Sequence, residues 1–165
     1  MTKEDYWKLI ETSRRAAKDT DEQMGKLHEL LVKLPAEDIL AVDTCFQQCI
    51  CDAYTWELWA AAYIVNGGCS DDGFDYFMGW LIAQGRKPFE AVLADPEMLA
   101  AIAEPDGFFE CERMWSAAAI AYEANTGKND YYEISKGVTR QLRGKSWDEE
   151  TVDQLYPKLA RKFGR

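Results

Sequence analysis

Between Pro35 and Gly67 the chain contains neither proline nor glycine, and over residues 36–66 small or apolar side chains return every three or four positions: Ile39, Val42, Phe46, Ile50, Ala53, Ala60 and Ile64, with Glu57 in the same register. A half-buried strand alternates every second residue, and a loop of that length needs turn residues. The spacing therefore predicts helix, either one long helix or two joined by a kink. Gly67-Gly68 closes the run, because glycine enters the left-handed conformation after a last helical turn at little cost.

The same reasoning extends in both directions. Residues 4–18 predict a first helix, with Tyr6, Leu9, Ile10 and Ser13 on one face and Arg14, Arg15 and Lys18 near the end that the dipole makes negative. A second helix starts at the Asp19-Thr20-Asp21 cap, carries Met24, Leu27, Leu30, Leu31 and Leu34 on a stripe with His28 beside it, and stops at Pro35. After the double glycine, Ser70 is an N-cap and Asp71 and Asp72 fall in a first turn, followed by the stripe Phe74, Phe77, Met78, Leu81 and Ile82 and a stop at Gly85. Pro88 opens a short helix through Phe89, Val92 and Leu93, Asp95-Pro96 begins another, and Glu104-Pro105-Asp106-Gly107 is a turn. Residues 108–126 predict a helix stopped by Gly127. Beyond it Gly137 and Gly144 interrupt the pattern, with helices expected near 149–156 and 157–163. The fold class is all-α: a single compact multi-helix domain over residues 1–165, with 128–165 a less regular basic segment packed on it.

Charge narrows the function. Residues 34–127 hold sixteen Asp or Glu against three Lys or Arg, whereas residues 128–165 hold nine basic against six acidic, in a chain of net charge −10. Phosphate backbones are repelled by the first region and meet only a modest basic patch in the second, so nucleic-acid binding is disfavoured. The asymmetry fits a basic tail on an acidic body, or an acidic face for a cationic partner. The longest apolar run, residues 58–65, is too short to span a bilayer, and the charged start lacks a signal-peptide pattern, which together point to a cytoplasmic protein. Five cysteines without an export signal read as reduced thiols. Their spacing matches no zinc pair, so neither metal nor cofactor is implied.

Residues 54–86 concentrate the unusual side chains. Trp56, Trp59 and Tyr63 share one helical face, and Glu57 falls on a face read as buried, where a carboxylate must be paired or protonated. It would serve either as an arginine partner or as a tuned acid. Ser70, Asp71, Asp72 and Asp75 crowd one turn and a half of helix beside Tyr76. They read as capping groups, as a polar site for an amine or guanidinium, or as oxygen ligands for a divalent cation. Glu112 and Glu123, three turns apart, are too distant for a shared acid–base reaction. Serine or cysteine triads would have to use the one histidine, His28, and no phosphate-loop or dinucleotide motif occurs.

The run Leu58-Trp59-Ala60-Ala61-Ala62-Tyr63, then Asn66-Gly67-Gly68-Cys69-Ser70-Asp71-Asp72-Gly73-Phe74-Asp75-Tyr76-Phe77 and Gly79-Trp80-Leu81-Ile82, resembles the bacterial family catalogued as domain of unknown function 4240. Tyr6-Trp7-Lys8-Leu9-Ile10 and Glu110-Cys111-Glu112 look like the same family's flanking features. Met78 departs from the resemblance, which leads one to expect arginine there; if that arginine pairs with an acidic partner, this chain has either lost the pair or supplies the cation from Arg86. The resemblance implies a cytoplasmic single-domain protein and brings no activity with it. The expected function is a non-catalytic binding module for a cationic ligand or basic protein segment, such as an accessory or immunity-like protein. Its site would gather Trp56, Trp59, Tyr63, Ser70, Asp71, Asp72, Asp75, Tyr76, Trp80 and Arg86 near the double glycine. The alternative is a small hydrolase-like enzyme holding Mg²⁺ or Ca²⁺ on Asp71, Asp72 and Asp75.

Overall fold

A computed structural model describes residues 1–164, and it is built of helices: α1 (Lys3–Arg15), α2 (Thr20–Leu31), α3 (Ala36–Ala53), α4 (Trp56–Asn66), α5 (Asp71–Ala83), α6 (Arg86–Ala94), α7 (Arg113–Thr126), α8 (Tyr131–Ile134) and α9 (Pro157–Lys162). Two 3₁₀ turns, Pro96–Ala101 and Val152–Gln154, complete the set. Among the described residues no strand forms; there is one isolated bridge between Thr55 and Arg143. No described helix is long and apolar enough to cross a membrane.

Local chemistry sets most boundaries. Thr2 and Asp5 form a capping box at α1, and Asp19 accepts the Glu22 N–H at 2.8 Å to start α2. Residues 36–66 divide into two helices because Thr55 leaves the helical conformation and caps the second, its hydroxyl accepting the Leu58 N–H at 3.2 Å. Gly67, at φ 67°, ends α4 with the Gly68 N–H on the Tyr63 carbonyl at 2.9 Å, and Ser70 caps α5 through the Gly73 N–H.

The α5 helix runs through the middle of the molecule. Phe74, Phe77, Met78, Leu81, Ile82 and Ala83 are fully buried, and α1, α3, α4, α6 and α7 pack around them. Tyr6 and Trp7 of α1 join the same core, Trp7 lying 5.3 Å from Phe89 of α6. Met78 is a core side chain, so the position where the resemblance leads one to expect arginine faces no solvent here.

Three expectations from sequence are corrected. Residues 108–111 are irregular and Glu112 a turn residue rather than helix, and α7 begins only at Arg113. The cause is tertiary: the Cys111 N–H goes to the Tyr76 carbonyl at 2.8 Å, and Gly79 lets the segment approach so closely that a Cβ there would sit 2.5 Å from the Cys111 oxygen. A short helix, α8, follows α7 where none is expected. Near 149–156 only the 3₁₀ turn Val152–Gln154 forms.

Candidate functional site

The Thr55 cap that separates α3 from α4 leaves Tyr54 and the first turn of α4 beside the N-terminal half of α5. Aromatic rings fill this corner in a ladder: Tyr54 stacks on Phe74 at 5.9 Å, Phe74 on Trp59 at 5.0 Å, and Trp59 on Trp56 at 5.4 Å. The Trp59 indole N–H donates to the Cys69 carbonyl at 2.9 Å, and the Trp115 indole N–H, from α7, donates to the Asp75 carbonyl at 3.0 Å. Both bonds join groups of residues 1–124.

Across it lies a strap, residues 135–149. The Arg140 guanidinium forks onto both oxygens of Asp75, with Nη2 at 2.8 Å from Oδ2. Its carbon sits 4.4 Å from the Tyr54 ring centre and 5.4 Å from that of Trp115. The Asp75 carboxylate holds the Arg140 pKa above its usual value, against the opposing effect of burial. Further along, the Arg143 N–H donates to the Tyr54 carbonyl at 3.3 Å and the Trp56 N–H to the Arg143 carbonyl at 2.9 Å. The Arg143 guanidinium donates to the Cys51 and Asp52 carbonyls, each at 3.0 Å, where the end of α3 leaves acceptors unpaired. Trp147 lies 5.1 Å from Tyr63 and 6.3 Å from Trp56, and the Tyr63 hydroxyl donates to Glu149 at 3.0 Å.

The site expected from sequence is thus divided. Asp75 holds a cation between Tyr54 and Trp115, Trp59 and Trp56 continue the ring ladder away from it, Tyr63 lies further along against Trp147, and Arg140 and Arg143 complete the arrangement. Ser70, Asp71 and Asp72 are exposed at the start of α5, Ser70 as its cap. Tyr76 lines a separate hollow of about 510 Å³ with Glu110 and Glu112; Glu112, burial and Asp72 push its hydroxyl pKa up. Trp80 is a core residue between Phe77 and Phe109. Arg86 does not replace the missing arginine, because Glu4 of α1 and Glu90 of α6 hold it.

Glu57 is exposed, not buried. The non-helical Tyr54 and Thr55 reset the helical phase, so α4 buries Leu58, Ala60, Ala61, Ala62, Ile64 and Val65 instead. Its carboxylate accepts the Lys145 N–H at 3.0 Å. Among the described residues no group of three His, Cys, Asp or Glu is placed to hold a metal ion, and the five cysteines are free thiols.

These features define a class: an all-α domain whose surface corner of rings and one carboxylate grips a guanidinium. The chain belongs to the family described as a protein of unknown function (DUF4240), which matches residues 1–124. Every groove residue from Tyr54 to Trp115 falls inside that span, and the strap falls outside it. No curated protein and no solved structure matches the chain.

Proposed function

We propose that this protein is a non-catalytic recognition module for a guanidinium-bearing basic segment, with Asp75, Tyr54 and Trp115 as the receptor. The observation that carries this reading is the Arg140 cage: a two-point carboxylate fork with rings alongside the same cation. Such a cage suits arginine better than lysine, because the planar fork matches both carboxylate oxygens and the flat cation stacks on rings. The acidic body of residues 34–127 adds attraction for a basic partner at longer range. The module works in the cytoplasm, where its free thiols stay reduced.

With Asp75 neutralised by Arg140, a role for Asp71, Asp72 and Asp75 as a joint metal-binding set has no comparable support. The test is isothermal titration of N-acetyl-arginine amide into the full chain carrying Arg140→Ala. Saturable heat that disappears in Arg140→Ala/Asp75→Asn is expected, with a lysine analogue binding more weakly. Absence of heat in Arg140→Ala, or equal heat in both variants, removes the reading.

A further inference from the structure

We infer that the strap is a built-in occupant of a docking groove whose partner is an extended segment of another protein carrying Arg-x-x-Arg-Gly-x-x-Trp, the pattern of Arg140, Arg143, Gly144 and Trp147. The inference rests on the guanidinium-cage reading and adds to it a partner sequence and an autoinhibited state.

The groove offers a separate receptor for each element of that pattern. The first arginine enters the Asp75 cage. The second meets the carbonyls at the end of α3, which accept but cannot donate, so they select a cation or another strong donor. At this second arginine the Tyr54 carbonyl and the Trp56 N–H pair with its main chain, which requires an extended residue there and fixes direction and register. Glycine follows because its φ is +88°, a conformation that a residue with a Cβ rarely adopts. The Glu57 carboxylate lies against that step and takes the next N–H. The tryptophan closes on Tyr63 and Trp56.

Two observations separate this from a permanent tie. None of residues 135–149 is buried, and the Trp59 and Trp115 indoles beside them are oriented by bonds internal to residues 1–124. A segment whose residues all keep some exposure, with Trp147 alone resting its ring against the core from the side of α4, opens at lower cost than the core itself. The strap also lies beyond the part of the chain that matches the family, whereas the groove lies within it. In cis the strap has a high effective concentration, so a partner must outcompete it or bind when it is open.

The test uses the full chain with Arg140→Ala, Arg143→Ala and Trp147→Ala together, and a labelled synthetic peptide with the sequence of residues 137–150. The variant is expected to bind this peptide at least about ten-fold more tightly than wild type. Replacing the peptide's glycine by alanine, or moving its two arginines one residue closer, should each weaken binding by about ten-fold or more. Equal binding of the native and respaced peptides overturns the sequence-specific groove but leaves the cage reading standing if N-acetyl-arginine amide still binds. Loss of both ligands overturns both. Should the triple variant not fold, amide exchange of wild type with excess unlabelled peptide decides the matter. Faster exchange at the strap's own Arg143 and Lys145 N–H groups supports displacement, and unchanged exchange at saturating peptide overturns it. A wild-type dimer that is lost in the triple variant would make the occupant a second copy of this chain and overturn the assignment to a different protein.

Discussion

Arg140→Ala should release the strap without unfolding the domain. The Arg140 and Asp75 side chains are 28% and 21% exposed, so their attraction lies between the shielded and the surface limits. A shielded hydrogen bond to a charged group contributes about 1.5–3 kcal/mol and an exposed ion pair about 0–1 kcal/mol, which places this fork near 1–2 kcal/mol. Contact with the Tyr54 and Trp115 rings adds about 0.5–1 kcal/mol. The total of roughly 1.5–3 kcal/mol corresponds to strap opening favoured by about 10–150-fold. Native-state hydrogen exchange reads this directly. The Arg143, Trp56 and Lys145 N–H groups, bonded to the Tyr54 carbonyl, the Arg143 carbonyl and Glu57, should lose protection by that factor. The α5 amides around Phe77, in the fully buried centre, should not change. The melting midpoint should fall by no more than about 12 °C, since about 1 kcal/mol shifts a domain of this size by roughly 2–4 °C. Uniform loss of protection across α5, or strap amides that exchange as in wild type, would refute the claim that strap and core are separate cooperative units.

Other expected outcomes bear on the fold and on the corrected residues. Gly79→Ala forces a Cβ to 2.5 Å from the Cys111 backbone oxygen, so it should cost about 1–3 kcal/mol in chemical denaturation while leaving arginine binding by Arg140→Ala intact. Arg86→Ala, which removes contacts to Glu4 and Glu90 only, should leave strap exchange and arginine binding unchanged. Burial pushes the Cys49 and Cys69 thiols up to about 12 and Cys111 up to about 11, so at pH 8 a thiol reagent should modify them only as the chain unfolds. Because these pKa values are higher in the folded than in the unfolded state, the stabilisation they report is complete below the ordinary thiol value. It declines as pH rises from about 9 through about 12, and urea midpoints measured across that window should fall.

Features that depend on neighbouring residues were legible in the sequence. The Asp19 and Ser70 caps, the Gly67 stop and the stripe of α5 rest on side chains within a turn of the groups they serve. The division of residues 36–66 stayed open because Thr55 caps as readily as it continues a helix, and that choice decides where Glu57 points. The non-helical path of residues 108–112 was hidden, since it depends on Tyr76 and Gly79 from another helix. The cage was half visible. Asp75 and the rings of α4 stood out, but the cation is 65 residues further along the chain, and nothing local distinguishes Arg140 from the other basic residues near it. Arg86, the nearer arginine, is engaged by acids of α1 and α6 that the sequence does not place beside it.

The cage can be watched through its own ring. Trp115 contributes both an indole N–H bonded to the Asp75 carbonyl and a face toward the guanidinium. In a nitrogen–proton spectrum of Arg140→Ala, titration with N-acetyl-arginine amide should move the Trp115 indole signal saturably back toward its wild-type position while the Trp7 indole, buried in the core, stays fixed. A Trp115 signal that does not move, or indole signals that all drift together without saturation, would contradict the existence of a guanidinium site at Asp75.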